Sequence, residues 1–314
     1  MKKKDLISIL DLDKKEILKL LNLTYQIKLK LKKGIKYTPL TGKTLALIFQ
    51  RPSTRTRVSF EVGMHQLGGY AIFLSGKDMQ IRRGETMADT AKTLSRYVNG
   101  IVIRAKKHND IIELSKFSSI PVINGLSDLE HPCQALSDIY TIVEELKIYK
   151  NIEDIKKIKF VYIGDGNNIA NSLLLIASVL GMNFTICVPK NYEPSEEILN
   201  KAYYISKETK ANIILLHNPE KSVIDADFLY TDVWTSMGEE KEHNLRKKIF
   251  HNYQVNKKLL SNAKENVKIM HCLPAHRGEE ITDDVIDSPN SIVFNQTENR
   301  LHTQKAILTY LLKI

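Results

Sequence analysis

Apolar residues recur at helical spacing from Leu6 to Leu31, among them Ile17, Leu20, Leu21 and Tyr25, and predict an opening helix. Lys43–Phe49 is then a short, almost wholly apolar run, the pattern of a strand covered on both faces. Beyond Arg51-Pro52-Ser53, the residues Phe60, Met64 and Leu67 stand at i, i+4 and i+7 and stop at Gly68-Gly69. That pattern predicts a helix with a hydroxyl start and a glycine stop. Tyr70–Leu74, Gly100–Ile103 and Pro121–Ile123 read as further strands with helical patterns between them.

A second alternating series runs through Lys159–Gly164, Phe184–Val188, Ile213–Leu216, Phe228–Val233, Val267–His271 and Ile292–Phe294. The charged stretch Glu144–Lys157 between the two series is the expected hinge, and Asn299–Ile314 reads as a closing helix. Alternation of this kind predicts an α/β chain of two doubly wound parallel-sheet domains, 1–146 and 147–298. A length of 314 residues suits two such cores.

Composition removes several alternatives. Hydrophobic residues at 43% and charged residues at 26%, with nine Pro and fourteen Gly, argue against disorder, collagen or a coiled coil. Cys133, Cys187 and Cys272 lie far apart without a CxxC, so neither a disulfide framework nor a zinc ribbon is indicated. The longest apolar stretch, near Leu173–Leu180, is too short to span a bilayer. Asp5, Asp11 and Asp13 interrupt what a signal sequence would need as its apolar region, and the expected location is the reducing cytoplasm.

The net charge of +10 points to anionic partners. Only ten of the 46 basic residues are Arg, and Arg51, Arg55, Arg57, Arg82, Arg83, Arg104 and Arg300 fall in or near the motifs below. Lysine is scattered among acids and solvates the surface, whereas arginine marks where planar, bidentate contacts to phosphate or carboxylate are needed. A nucleic-acid-binding role is not supported, because no arginine–aromatic stripe or known module is present.

Two nucleotide signatures fail. Thr41-Gly42-Lys43-Thr44 lacks the P-loop's earlier glycine, since Tyr37 holds that position. Gly164-Asp165-Gly166 has Ile169 in place of the third glycine of a dinucleotide fingerprint, and no acidic residue follows the next strand. The turn still displays Asn167 and Asn168 where polar ligand contacts are expected. Ser53-Thr54-Arg55-Thr56-Arg57 is more telling, joining a buried strand to a helix start with three hydroxyls and two guanidiniums. It reads as an oxyanion site, with outward-facing N–H groups and a positive dipole behind them.

Phe49-Gln50-Arg51-Pro52-Ser53-Thr54-Arg55-Thr56-Arg57 resembles the phosphate loop of the aspartate/ornithine carbamoyltransferase superfamily, and His131-Pro132-Cys133-Gln134 is similar to its second signature. Asp232-Val233-Trp234-Thr235-Ser236-Met237-Gly238 and His271-Cys272-Leu273-Pro274 resemble its ornithine branch, and the resemblance closes with Glu298-Asn299-Arg300-Leu301-His302. Gln50-Arg51 departs from the acidic-basic pair common there, a change expected to alter surface pairing only.

The resemblance implies carbamoyl transfer from carbamoyl phosphate to the δ-amine of ornithine, without metal, organic cofactor or covalent enzyme intermediate. It implies that the first domain, joined by helix 299–314, binds carbamoyl phosphate through Ser53, Thr54, Arg55, Thr56, Gln80, Arg104, His131, Gln134 and Arg300. Arg104 spans phosphate and carbonyl, His131 donates to the carbonyl oxygen, and Gln134 reads the carbamoyl NH₂. The second domain takes ornithine through Asn168 (or Asn167), Asp232, Ser236, Met237, Cys272 and Leu273. Cys272 assists proton loss beside Asp232, and Cys133 is read as packing. A homotrimer is implied, with the Gln80 loop, flanked by Arg82 and Arg83, reaching a neighbouring subunit. Sister enzymes acting on aspartate or putrescine are the rivals; the first needs basic residues for a second carboxylate, the second no carboxylate contact.

Overall fold

The computed structural model of the chain describes residues 4–80, 84–235 and 240–313. Its contacts divide it into two compact units, Met1–Tyr140 with Glu298–Ile314, and Thr141–Thr297.

The first unit contains α1 (Lys14–Lys32), β1 (Thr44–Phe49), α2 (Thr54–Gln66), β2 (Tyr70–Ser75), α3 (Met87–Tyr97), β3 (Gly100–Arg104), α4 (His108–Phe117) and β4 (Val122–Leu126). Its sheet has the order β2-β1-β3-β4, all parallel. The central strands are buried apart from Thr44 at the start of β1, as their apolar runs require. Because β2 and β3 flank β1, the strand order reverses between β1 and β3, where Phe49 lies opposite Arg104. Ligands of open parallel sheets bind outside the carboxyl ends of the strands at such a reversal. Thr41–Lys43 precedes β1 and Thr44 opens it, so this segment lies at the opposite end of the strand from that crevice.

The opening helix is shorter than the periodicity predicts. Leu6 instead lies parallel to Ile123, its N–H bonded to the Val122 carbonyl at 2.9 Å, and Ile9–Asp11 forms a single 3₁₀ turn. Helix α1 starts only where Asp13 and Glu16 form a reciprocal capping box.

The chain passes into the second unit along α5 (Pro132–Glu145). That unit holds β5 (Lys159–Ile163), α6 (Asn168–Leu180), β6 (Asn183–Cys187), α7 (Glu196–Thr209), β7 (Asn212–Leu216), α8 (Pro219–Val223), β8 (Phe228–Thr231), α9 (His243–Phe250), α10 (Lys257–Leu260), β9 (Lys268–His271) and α11 (Asp283–Ile286). Its sheet is parallel in the order β7-β6-β5-β8-β9, and the reversal lies between β5 and β8, where Ile163 lies opposite Thr231. Helix α6 is buried from Ile169 to Leu180, which accounts for the apolar stretch noted in the sequence. The segment 144–157, expected as a hinge, lies inside this unit as the end of α5 and a 3₁₀ helix, Ile152–Lys157.

Ile292–Phe294 is not a strand. Ser291 makes one bridge to Ile269, after which the chain enters α12 (Val293–Leu312), which returns it to the first unit. An apolar triplet has no period of its own, and the Gln296 N–H bond to the Ile292 carbonyl at 2.9 Å decides for helix. Within the first unit α12 is seated by Lys28, whose Nζ reaches Asn299 Oδ1 at 2.7 Å and Glu298 at 3.2 Å, and by Tyr310 donating to Glu16 at 2.7 Å.

Candidate active site

Both reversal points carry the motif residues. In the first unit, Ser53 follows β1 in extended backbone, and its Oγ accepts from the Thr56 N–H at 3.2 Å, starting α2. The N–H groups of Thr54 and Arg55 occupy the first helical turn, which has no intrahelical acceptor, an arrangement that favours an anion at the helix mouth. Gln50 locks the approach: its N–H donates to the Arg104 carbonyl at 2.9 Å, and its Oε1 accepts from the Lys106 N–H at 2.7 Å. Its amide nitrogen donates to Asp110 at 3.1 Å.

Arg104 ends β3 as a buried residue, and His131 is buried immediately before α5. Burial, then the Arg300, Arg104 and Arg55 guanidiniums, hold the His131 imidazole well below the usual histidine range. Three arginines distant in sequence thus act on one neutral ring, which offers a single N–H donor. Arg300 donates through Nη1 to Gln134 Oε1 and through Nη2 to Thr56 Oγ1 at 3.2 Å. Gln134 Nε2 donates to Asp138 Oδ1 at 2.8 Å, which orients the Gln134 oxygen as an acceptor.

Not every basic residue of the loop is available for an anion. Arg57 stacks 3.5 Å from the Phe73 ring centroid and bonds Glu61 at 3.0 Å, whereas Arg55 is close enough to His131 for its charge to act on that ring. Gln80 is exposed, with its carbonyl accepting from the Glu85 N–H, and Arg82 and Arg83 lie outside the described residues. Cys133 is buried; burial pushes its thiol up to about 12, and it donates to the Asn124 carbonyl at 3.4 Å. That thiol is inert.

In the second unit, Gly164 (φ +149°) and Gly166 make the turn after β5. A Cβ on Gly166 would lie 2.4 Å from the Tyr192 oxygen and the Pro194 nitrogen, so only glycine permits this approach. Asn167 caps α6, accepting from the Ile169 and Ala170 N–H groups at 2.9 and 3.2 Å, and its amide nitrogen donates to Asp232 Oδ2 at 3.0 Å. Asn168 is the first helical residue and half-buried.

Asp232 follows β8, is buried, and also accepts from the Cys272 thiol at 3.0 Å. Burial, followed by the Asp232 charge, raises the Tyr162 phenol well above its ordinary value, and its OH donates to the Asp165 carbonyl at 2.8 Å. Leu273 adopts φ +56°, a conformation disfavoured for its side chain. Its N–H donates to His271 Nδ1 at 2.8 Å, which leaves the His271 proton on Nε2, donating to Glu280 at 2.9 Å. His271 and Glu280 are fully buried and brace the turn that presents Cys272. Ser236 and Met237 lie outside the described residues.

Sequence reasoning gave Glu280 and Arg246 no role. Glu280 carries no motif and reaches His271 only across a loop. Arg246 had a usable signal, being one of few arginines in a lysine-rich chain, and it is buried against Asp165 at 3.1 Å.

The chain is similar to known proteins over nearly its whole length. Residues 4–144 match the family model for the aspartate/ornithine carbamoyltransferase carbamoyl-P binding domain, and residues 156–311 match that for the Asp/Orn binding domain. The chain is 52% identical to an ornithine carbamoyltransferase of Thermococcus kodakarensis, covering 97% of this chain and 95% of that one. It is 54% identical to one of Bacillus thuringiensis, covering 99% and 95%. The solved ornithine carbamoyltransferase of Pyrococcus furiosus superposes with a TM-score of 0.94 at 51% identity, covering 99% of this chain and 97% of that one.

Proposed function

The chain belongs to the aspartate/ornithine carbamoyltransferase family, and from that premise we propose that it transfers the carbamoyl group of carbamoyl phosphate to the δ-amine of L-ornithine, giving L-citrulline and phosphate. The observation that carries this reading is the pairing of opposite chemistries at the two sheet reversals. One has Arg55, Arg104 and Arg300 around a neutral His131, and the other a buried carboxylate, Asp232, held by two donors.

In the first unit the Ser53–Thr56 turn and Arg55 hold the phosphate, with Arg104 between phosphate and carbonyl. His131 donates to the carbonyl oxygen, where negative charge grows, and Gln134 Oε1 accepts from the carbamoyl NH₂. Arg300 keeps Gln134 and Thr56 in place. In the second unit the Asn167 amide is occupied by the helix cap and Asp232, so Asn168 and the Met237 backbone receive the α-carboxylate. Asp232 and Ser236 take the α-ammonium, and Cys272 and Leu273 border the side chain.

The uncharged δ-nitrogen attacks the carbamoyl carbon, the bond from carbon to the phosphate oxygen breaks, and the proton released by nitrogen goes to the departing phosphate. The reaction calls for no covalent enzyme intermediate, metal or organic cofactor.

Aspartate is the poorer acceptor, because a second carboxylate would meet Asp232. Putrescine leaves Asn168 without a carboxylate to bind. Steady-state assays with the three acceptors are expected to give ornithine a kcat/KM at least about 10³ above the others, since unpaired polar groups penalise the wrong substrate. Equal turnover of putrescine would overturn the ornithine assignment.

Cys272→Ser is expected to raise the ornithine KM about three- to tenfold by loosening one hydrogen bond to Asp232. The carbamoyl phosphate KM stays within about twofold; the reverse pattern in initial-rate data would remove Cys272 from the ornithine side.

The assembly we propose is a homotrimer in which the loop carrying Gln80, exposed in the single chain, completes a neighbouring subunit's carbamoyl phosphate site. We place the enzyme in the cytoplasm; among the described residues no helix is long and apolar enough to cross a membrane.

A further inference from the structure

Arg246 is buried on α9, outside every motif that marks the site. Its Nη1 donates to the Trp234 carbonyl at 3.0 Å and lies 3.1 Å from Asp165 Oδ2, and its Nε donates to Glu242 at 2.9 Å. The guanidinium carbon stands 5.1 Å from the Tyr192 ring centroid. One helical turn later, Phe250 stacks on the Trp234 ring at 5.9 Å and meets Tyr192 edge-on at 4.9 Å. The inward face of α9 therefore grips the same two residues twice, through their rings with Phe250 and through polar and cationic contacts with Arg246.

The two turns so gripped are those that carry the amino-acid contacts. Asp165 lies in the Gly164–Gly166 turn that leads to Asn167 and Asn168, and Trp234 lies two residues beyond Asp232. Tyr192 belongs to the segment against which Gly166 is pressed, its carbonyl accepting from the Gly166 N–H at 2.9 Å. Asn167 and Asp232 already bond each other at 3.0 Å, but one hydrogen bond sets a separation and leaves an angle open. A guanidinium can hold both turns from a third element, because its planar fork presents several donors in fixed directions.

We propose that Arg246 is a positioning residue for the α-amino-acid head of the acceptor: it fixes the Asp232 carboxylate relative to the α6 helix mouth at Asn168. This rests on the reading of the second unit as the ornithine-binding half. Arg246 touches no substrate; it acts through the two turns.

The test compares Arg246→Met, Arg246→Lys and Asp165→Asn with the full-length parent in initial-rate assays that vary each substrate in turn. Arg246→Met is expected to raise the ornithine KM at least about tenfold, with the carbamoyl phosphate KM within about twofold. Arg246→Lys recovers part of that loss, because an ammonium restores the charge against Asp165 but not the fork. Asp165→Asn moves the ornithine KM in the same direction by a smaller factor, and it serves if Arg246→Met fails to fold. A role in stability alone would lower the melting temperature and the active fraction, hence apparent kcat, and leave the ornithine KM unchanged in all three variants; that result overturns the proposal. Failure of the parent to carbamoylate ornithine sinks the functional reading itself, a distinguishable outcome.

Discussion

Arg55→Ala is expected to lower kcat/KM for carbamoyl phosphate by about 10²–10³, the range for losing a charged donor from a preorganised anion site. Arg55 sits in the first turn of α2, the helix that Ser53 caps by accepting from the Thr56 N–H. Removing it leaves Arg104 and Arg300 in place, so the site is weakened and not abolished. The charge on Arg55 is also one of three that depress the His131 imidazole, and its loss moves that group upward. Burial is the largest influence on His131, so the imidazole stays neutral at pH 7 and still donates one hydrogen bond. The loss therefore belongs to the phosphate contact. The side chain is half-exposed, and a change in unfolding free energy within about 0.5 kcal/mol is expected. Rates with saturating ornithine, read beside a thermal melt, check both halves. Near-normal turnover would refute the assignment of the loop.

Asp232→Asn is expected to raise the ornithine KM by about 10²-fold, with the carbamoyl phosphate KM within about twofold. The substitution keeps the shape and removes the charge proposed to meet the α-ammonium; hydrogen bonds to charged groups contribute about 1.5–3 kcal/mol each. A second cost arises inside the protein. Asp232 accepts from both Asn167 and Cys272, and an amide in its place has one oxygen for those two donors and turns an NH₂ toward the other. The Asn167 cap on α6 is loosened at the same time. Titrating ornithine at fixed carbamoyl phosphate tests this, and an unaltered ornithine KM would take Asp232 out of the amine site.

Much of the fold was legible along the chain. Strands β1, β3, β5 and β8 are nearly continuous apolar runs, a pattern that holds because each is covered on both faces. The start of α2 was legible in Ser53 for a local reason, its hydroxyl meeting a donor three residues on. Errors fell where local pattern competes with a distant partner. Residues 6–13 have helical spacing, yet Leu6 pairs with Ile123, and Asp13 captures the helix start. Ile292–Phe294 has the composition of a strand and the hydrogen bonds of a helix.

The chemistry divides in the same way. The amino-acid order alone determined that Ser53 would start a helix after β1 and that Gly164–Gly166 would turn a strand into a helix, because neighbours in sequence build both. Which guanidiniums act on His131 was decided only in three dimensions, where Phe73 and Glu61 engage Arg57 and Arg300 arrives on α12. The same holds for Asp232, Cys272 and Asn167, and for His271 with Glu280. Charge and hydrogen bonding act over a few ångströms of space, and the order of strands together with the packing of the helices determines which distant residues share that space.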